Sequence, residues 1–240
     1  MSGVRSKFTL SSLSSGAILA LALLLLSVFI GFWIYESSEL RTLSLKEEKL
    51  QHEVVLLDRY VRWTKDYCRI YQALDFLAGN KMSARKRSVL ADNIWMISRN
   101  YNYDPLLILA IVMQESRGNP NARGRNRQGE ASGAYGLMQL KLGTAQSLGR
   151  KFGMKINTEE DLLYPEVSIA IGSAYLMRLL GRYGDLKKAI IAYNLGTGAV
   201  DSKLKQKEPI PTFYYEGVLA KYRKLSQEIE KRMGGSSGVF

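Results

Sequence analysis

The residue best suited to acid chemistry in this sequence is Glu115, which follows an apolar run in the stretch "LLILAIVMQESRGNPNA", Leu106 to Ala122. In a helix, Leu107, Ile111 and Glu115 share one face, so the glutamate extends an apolar stripe. Burial raises the pKa of a carboxyl group because the charged form loses its hydration. A glutamate held in this way keeps its proton near neutral pH and can act as a general acid. Taken alone, however, a glutamate just before a Gly-Asn-Pro turn is more often a solvated or capping side chain.

Other kinds of catalytic site are nearly excluded by composition. The chain of 240 residues has one cysteine, Cys68, and one histidine, His52. Disulfide frameworks, zinc clusters and histidine-dependent triads need more of these residues, so we expect neither a metal nor a cofactor. The formal net charge of +12 favours a polyanionic partner, which is nucleic acid, an anionic membrane surface or an acidic cell-wall polymer. A basic surface that faces solvent and binds no such partner would give the same net charge.

The elements that must position Glu115 are helices. From Ser88 onwards apolar residues recur at intervals of three and four, and no convincing run alternates with a period of two. This pattern predicts an all-α domain over residues 88–225. We expect residues 226–240, which end in "GGSSGVF", to form a flexible tail. Two helix starts are marked by proline at the first helical position, Asp104-Pro105 and Tyr164-Pro165.

A transmembrane helix is predicted ahead of this domain. Residues 16–35, "GAILALALLLLSVFIGFWIY", carry no charge, and an apolar helix of about 20 residues spans a hydrocarbon core. The bulky end of the run argues against a cleaved signal peptide. Basic residues precede the span and acidic residues follow it, namely Arg5 and Lys7 before, and Glu36 and Glu39 after. The positive-inside rule then places residues 1–15 in the cytoplasm, with a single pass through the inner membrane and the domain facing the periplasm or cell wall.

The predicted helical stalk and linker occupy residues 36–87. Apolar residues of the stalk fall near a heptad spacing, interrupted by Glu47: Leu40, Leu43, Leu50, Val54, Leu57 and Val61. Two interpretations of this pattern stay open, self-association as a coiled coil and an amphipathic helix that packs back on the domain. The basic stretch "NKMSARKRS", Asn80 to Ser88, is typical of a linker with a solvated face.

Several motifs of the predicted domain, taken together and in order, resemble those of the lytic transglycosylases of bacterial cell walls. The resemblance extends from near Ser88 to Tyr222. Any one motif is weak, and it is their shared order that is specific. The motifs are Glu115-Ser116 at the end of an apolar helix, "GLMQ" at Gly136–Gln139, "YPEVSIAIGSAYL" from Tyr164, "AYN" at Ala192–Asn194 with Gly196 and Gly198, and a late Tyr215. The resemblance implies a goose-lysozyme-like helical domain and peptidoglycan glycan strands as the substrate.

By this resemblance Glu115 is the catalytic residue. It first protonates the glycosidic oxygen between N-acetylmuramic acid and N-acetylglucosamine, and then takes the proton of the C6 hydroxyl, which leaves a 1,6-anhydro sugar without using water. Most glycosidases add a second carboxylate, but this family typically does without one. The groups expected to position the glycan and the glutamate are Gln139, Met138, Tyr193, Asn194 and Tyr215.

The sequence departs from the family in the segment between Glu115 and Gln139, which is longer than usual. Four arginines of this segment suggest a basic lip on the cleft: Arg117, Arg123, Arg125 and Arg127. Glu130 stands where the family often has serine. If Glu130 faces the cleft, it could hold a water and make the enzyme a hydrolase; otherwise it is a surface carboxylate paired with a neighbouring arginine.

Three functions therefore compete. They are a membrane-anchored lytic transglycosylase, a hydrolytic muramidase that uses Glu115 with Glu130, and a non-catalytic module that grips the cell wall in the same cleft. A nucleic-acid binder rests on net charge alone, has no recognised motif and would lie on the wrong side of the membrane. We therefore expect no nucleic-acid partner.

Overall fold

The structure is a computed structural model that describes residues 15–126 and 128–234. The described residues fall into two units that divide between Val61 and Arg62. The predictions that involve Arg5, Lys7 and Arg127 lie outside the described residues, as do residues 235–240.

The first unit is helical. Helix α1 is Ser15–Ala78, and its residues up to Val61 belong to this unit. Among the helices that the structure describes, α1 alone is long and apolar enough to cross a membrane. Its apolar side chains from Ile18 to Tyr35 are exposed, and so are those at the heptad positions between Leu40 and Val61.

The second unit contains the end of α1 and a helical body, which confirms the all-α class. The further α-helices are α2 Ala84–Tyr101, α3 Pro105–Glu115, α4 Leu142–Gly149, α5 Pro165–Tyr183, α6 Leu186–Leu195, α7 Thr197–Gln206 and α8 Phe213–Gly234. Short 3-10 helices lie at Gly79–Lys81, Arg150–Phe152 and Glu160–Leu163.

A small antiparallel sheet interrupts the helices after α3. Its strands are β1 Arg123–Arg125, β2 Ala131–Tyr135 and β3 Leu140–Lys141, in the order β1-β2-β3. Arg123 lies opposite Tyr135, and Ala134 lies opposite Lys141. The sequence did not predict this sheet because strands of two to five residues are too short to show an alternating pattern.

Helix α3 lies in the core of the second unit. Its residues from Pro105 to Val112 are all buried, and it packs against α8. Asp104 caps α3, since its side chain accepts a hydrogen bond from the Leu106 N–H at 2.9 Å. The Tyr222 hydroxyl on α8 donates to the same carboxylate at 2.8 Å. These bonds fix both the start of α3 and its position against α8, which determines where the helix ends.

The end of the predicted stalk belongs to the core. Ile70, Ala73, Leu74 and Ala78 are each at most 3% exposed. These residues lie beyond the heptad positions, so their burial within the second unit leaves both interpretations of the stalk open. The predicted linker is also partly helical, because α2 begins at Ala84.

The predicted flexible tail is wrong for residues 226–234. Helix α8 continues to Gly234, and Ile229, one turn after Leu225, is buried with it. Arg232 holds this last part of the helix, since its Nε donates to Glu228 Oε1 at 2.8 Å. The apolar stripe and the i,i+4 ion pair carry the helix beyond the predicted boundary.

Candidate active site

Glu115 is the last residue of α3, at the point where the buried helix reaches a cleft. The Ser116 N–H donates to the Val112 carbonyl at 2.9 Å. The helix ends there because Arg117 and Gly118 follow with positive φ angles of 52° and 72°. Burial raises the pKa of the Glu115 carboxyl. The C-terminal end of a helix dipole also disfavours a negative charge. Both effects favour the protonated form that a general acid needs.

Tyr214 on α8 directly contacts this carboxyl. Its hydroxyl donates a hydrogen bond to Glu115 Oε1, which partly opposes the effect of burial on the Glu115 pKa. Tyr214 is 5% exposed. Burial first, and then the charge of Glu115, raise the pKa of Tyr214, so this hydroxyl keeps its proton and remains a donor. The bond fixes which way one oxygen of Glu115 points.

The cleft has a volume of about 700 Å³, within the usual range for small-molecule sites. Glu115 is the only carboxylate among the described residues that line it. Four basic residues line it too, Arg117, Arg123, Arg125 and Lys141. The described cleft therefore has an excess of positive charge around a single acid.

One side of the cleft is formed by two tyrosines, one of which is hydrogen-bonded to a buried methionine. The Tyr193 hydroxyl donates to the Met138 carbonyl at 2.9 Å, and the Met138 N–H donates to Ser168 Oγ at 3.1 Å. The rings of Tyr193 and Tyr175 lie 5.3 Å apart, centroid to centroid, and both line the cleft. Aromatic faces of this kind suit the apolar faces of sugar rings.

Gln139 lines the cleft in a strained backbone conformation, with φ of 48°. Its Nε2 donates to the Gly136 carbonyl at 2.9 Å and to the Ala122 carbonyl at 3.2 Å. A Cβ placed on Gly124 would lie 2.7 Å from Gln139 Oε1. Glycine at position 124 therefore allows β1 to approach the Gln139 amide closely. The amide oxygen is an acceptor for a hydroxyl or an amide N–H.

The basic side chains of the β1–β2 segment are held by local contacts. Arg123 lies 5.5 Å from the Tyr135 ring centroid and pairs with Glu160 at 3.4 Å. Arg125 donates to the Gly129 carbonyl at 2.7 Å. The predicted basic lip thus corresponds to a strand and its turn, with both arginines lining the cleft.

Of the predicted site residues, the structure brings four to the cleft: Glu115, Gln139, Tyr193 and Asn194. Met138 is a correction. Its side chain is 0% exposed and packs against α5, so it cannot contact a glycan, and only its backbone serves the site.

The role predicted for Tyr215 is the second correction. Its neighbour Tyr214, and not Tyr215, is hydrogen-bonded to Glu115. Successive helical side chains diverge by about 100°, so only one of the two tyrosines can face α3. Tyr215 is directed towards α6 instead, where Lys187 Nζ lies 5.6 Å from its ring centroid. Tyr214 shares an apolar stripe with Val218 and Leu225. That spacing in the sequence indicates that Tyr214, and not Tyr215, faces the core.

Glu130 is exposed at the turn between β1 and β2 and does not line the cleft. Its carboxylate accepts a hydrogen bond from Asn126 Nδ2 at 2.8 Å, and its N–H donates to Asn126 Oδ1 at 2.9 Å. Of the two alternatives for Glu130, the structure has the surface carboxylate. Its partner is Asn126, whereas an arginine was expected. Both of these bonds are made within the turn, so they hold the carboxylate there and not in the cleft.

The sequence interpretation missed Tyr175 as well as Tyr214. Tyr175 lies on α5 among apolar residues, where an aromatic side chain is usually part of the core. Only the position of α5 beside α6, which brings Tyr175 against Tyr193, makes it a cleft residue.

The sequence of the second unit is similar to those of known proteins. The family described as "Transglycosylase SLT domain" matches residues 92–212, half of the chain. A "Transglycosylase" of Enterobacteria phage PRD1 is 38% identical over 116 residues, which are 48% of this chain and 38% of the phage protein. The "Invasion protein IagB" of Salmonella typhimurium is 29% identical over 157 residues, which cover 58% of this chain and 91% of that protein.

Among solved structures, the 70-kDa soluble lytic transglycosylase in complex with bulgecin A matches with a TM-score of 0.50 and 28% identity. The match covers 57% of this chain and 24% of that one. This chain thus covers 38% of the length of the phage protein and 24% of that of the soluble lytic transglycosylase. The matched family region includes Glu115, Gln139, Tyr193 and Asn194. By this match, the chain belongs to the family of transglycosylase SLT domains.

Proposed function

We propose that the protein is a membrane-anchored lytic transglycosylase that cleaves the β-1,4 bond between N-acetylmuramic acid and N-acetylglucosamine in peptidoglycan. The observation that carries the proposal is Glu115. It is the one carboxylate among the described cleft residues, it is desolvated at the end of a buried helix, and Tyr214 holds it in place. Family membership supports the same activity.

In the proposed reaction Glu115 acts twice. Its proton goes to the glycosidic oxygen while the bond from that oxygen to C1 of N-acetylmuramic acid breaks, assisted by the acetamido oxygen of the same sugar. The acetamido oxygen bonds to C1 as the glycosidic bond breaks. The resulting carboxylate then takes the proton of the C6 hydroxyl, whose oxygen bonds to C1 while the bond from C1 to the acetamido oxygen breaks. The products are a 1,6-anhydro sugar and a free hydroxyl on the leaving sugar. No water is consumed, and the glutamate is protonated again.

The other cleft residues bind and orient the glycan. Tyr175 and Tyr193 offer ring faces to the sugars, and Gln139 offers an amide oxygen beside Gly124. Asn194 is exposed at the cleft, where its amide can bond hydroxyl or acetamido groups. The position of Glu130 at the surface turn supports a mechanism without a second carboxylate.

The membrane part of the proposal rests on α1. We infer that residues 16–35 anchor the protein in the inner membrane in a single pass, with the N-terminus cytoplasmic and the second unit facing the periplasm or cell wall. The length and apolar character of α1 support a span. Self-association through the stalk is a further proposal, supported by the exposed heptad residues between Leu40 and Val61.

The test compares Glu115→Gln with Glu130→Gln on purified peptidoglycan, with products analysed by mass. Loss of the general acid should lower the rate roughly 10²- to 10⁴-fold, whereas Glu130→Gln should keep normal activity and 1,6-anhydro ends. Products heavier by one water, together with a loss of activity in Glu130→Gln, would assign a hydrolytic muramidase. Full activity of Glu115→Gln would exclude both enzymes. If the unaltered protein binds the cell wall without cleaving it, the remaining hypothesis is the non-catalytic module.

A further inference from the structure

The stalk part of α1, within the first unit, carries an exposed apolar face. A contiguous apolar surface of this kind marks an interaction site on a soluble part of a protein. Six side chains of the face are each between 54% and 63% exposed: Leu40, Leu43, Leu50, Val54, Leu57 and Val61.

The residue types along this face indicate what covers it. In heptad notation the a and d positions face the partner helix. Valine stands at two of the a positions, Val54 and Val61, and leucine stands at the d positions, Leu43, Leu50 and Leu57. A β-branched residue at a with leucine at d favours a parallel pair of helices over larger bundles. The occupant that fits the face is therefore α1 of a second copy of this chain.

Glu47 interrupts the face at the a position between Leu40 and Val54. Within the helix, Gln51 Nε2 donates to Glu47 Oε1 at 3.3 Å. In a parallel pair an a side chain packs beside the g residue of the other helix, and the g residue here is Lys46. Glu47 of one copy then meets Lys46 of the other only when the helices are parallel and in register. A polar residue at a single a position fixes the register in this way, at a cost in stability.

The rim of the face is less complementary than its centre. Glu53 at g lies towards Asp58 at e of the second copy, which is a like-charge pair. Exposed pairs of this kind have a small effect, so the apolar residues determine the association. Since α1 is one continuous helix from Ser15 to Ala78, pairing does not have to supply the free energy of helix nucleation.

We propose that residues 40–61 pair with the same residues of a second copy as a parallel, two-stranded coiled coil in register. This gives a partner strand, a direction and a register to the proposed self-association of the stalk. It rests on the proposed membrane anchor for the common direction of the two helices, and on the residues of α1 for the pairing. Two clefts joined in this way bind the cell wall with the avidity of a bivalent protein.

The experiment uses two adjacent valines that differ in the face they occupy. Val54 is at an a position, whereas Val55, which is 52% exposed, lies outside the face. Each is replaced by cysteine in the full-length chain that also carries Cys68→Ser, and membranes are treated with the mild oxidant diamide. Val54→Cys should cross-link to a dimer, and Val55→Cys should do so roughly tenfold more slowly, because a disulfide needs Cα atoms within about 7 Å. Equal cross-linking of the two variants, or none in Val54→Cys, would overturn the inference.

Two adjacent leucines give a matched test without cross-linking. Leu57 is at a d position, and Leu56 is exposed outside the face. Leu57→Ser should raise the dissociation constant of the dimer roughly a hundredfold or more, since each dimer loses two buried leucines. Leu56→Ser should leave it unchanged, as measured by sedimentation of the full-length chain in detergent. A larger effect of Leu56→Ser would place the contact on another face and refute the inference.

The register has its own test in a reversal of charge. Lys46→Glu should weaken the dimer, and the double change Lys46→Glu with Glu47→Lys should restore it. Failure of the double change to restore association would refute the register. A chain that stays monomeric at every concentration would favour the other interpretation of the stalk, a helix that packs on the domain.

Failure of the proposed function is distinguishable from failure of this inference. Cross-linking and sedimentation need no turnover, so they test the pair even if the unaltered protein does not cleave peptidoglycan. If washes release the chain from the membrane, the anchor is wrong, and the leucine variants still test the coiled coil in solution.

Discussion

Glu115 is subject to two opposing influences, both of which come from its neighbours. Desolvation at the end of α3 raises its pKa, and the hydrogen bond from Tyr214 lowers it. The balance suits a group that must give up a proton in one step and regain one in the next. When Glu115 is ionised, Tyr214 still keeps its own proton, because burial and the charge of Glu115 raise the pKa of that phenol.

We predict that Tyr214→Phe shifts the pH dependence of kcat/KM. The active acid is the protonated form, so activity falls as the pH rises through the Glu115 pKa. Without the phenol the carboxylate loses a donor, its pKa rises further, and the alkaline limb moves to higher pH. Because a bond to a charged group contributes about 1.5–3 kcal/mol, the maximal rate should also fall roughly ten- to hundredfold. A pH–rate profile measures both effects.

Tyr215→Phe is the control for this change, since its ring faces Lys187. It should leave the alkaline limb in place. A shift of the limb to lower pH in Tyr214→Phe, or an equal shift in Tyr215→Phe, would contradict the role given to Tyr214.

At the scale of elements, the cleft depends on how closely α5 approaches the "GLMQ" turn. A Cβ placed on Gly172 of α5 would lie 2.8 Å from Met138 Cβ and closer still to its sulfur. Met138 in turn holds Tyr193 through its carbonyl. The glycine on α5 thus sets the position of an aromatic residue of the cleft that lies on another helix.

Gly172→Ala should therefore destabilise the domain by about 1–3 kcal/mol, the usual effect of overpacking a core. It should also lower activity, because the displaced Met138 carries Tyr193 with it. Gly181→Ala is the matched control on the same helix, since its added Cβ meets nothing within 4 Å. That change should stabilise the helix by about 0.5–1 kcal/mol. Thermal unfolding of the full chain in detergent, followed by near-UV circular dichroism, compares them. Equal effects of the two substitutions would refute the close approach.

The helices were predictable because each leaves a local pattern. The apolar run before Glu115, and Asp104 and Tyr164 before their prolines, mark α3 and the start of α5 directly. The choice between Tyr214 and Tyr215 was not predictable in the same way, because it depends on how α8 is rotated against α3. The position of Glu130 depends on side-chain bonds within a five-residue turn, which no periodicity reveals.

At the scale of the whole molecule, the apolar span and the net charge of +12 offer two different ways to hold the protein at a membrane. An apolar helix is retained whatever the ionic strength, whereas a basic surface is released from anionic lipid when salt screens the attraction. The two possibilities are therefore separable by extraction.

We predict that the full-length chain stays in the membrane fraction through washes with concentrated salt and alkaline carbonate. A chain that begins at Arg62, where the second unit starts, should be soluble and should keep kcat/KM on soluble glycan fragments. Fractionation followed by an activity assay measures both. Release of the full-length chain by salt alone would contradict the proposed anchor and favour surface attachment.

The burial of Glu115 also has a consequence for the folding equilibrium. A carboxyl whose pKa is higher in the folded than in the unfolded chain binds its proton more tightly when folded. Its favourable contribution is complete below the ordinary carboxyl pKa and is lost as the pH rises through the raised pKa. The stability of the fold should therefore decrease as the pH rises from acid towards the raised pKa of Glu115. The residue proposed to carry the reaction is, for the same electrostatic reason, a point of weakness in the native state.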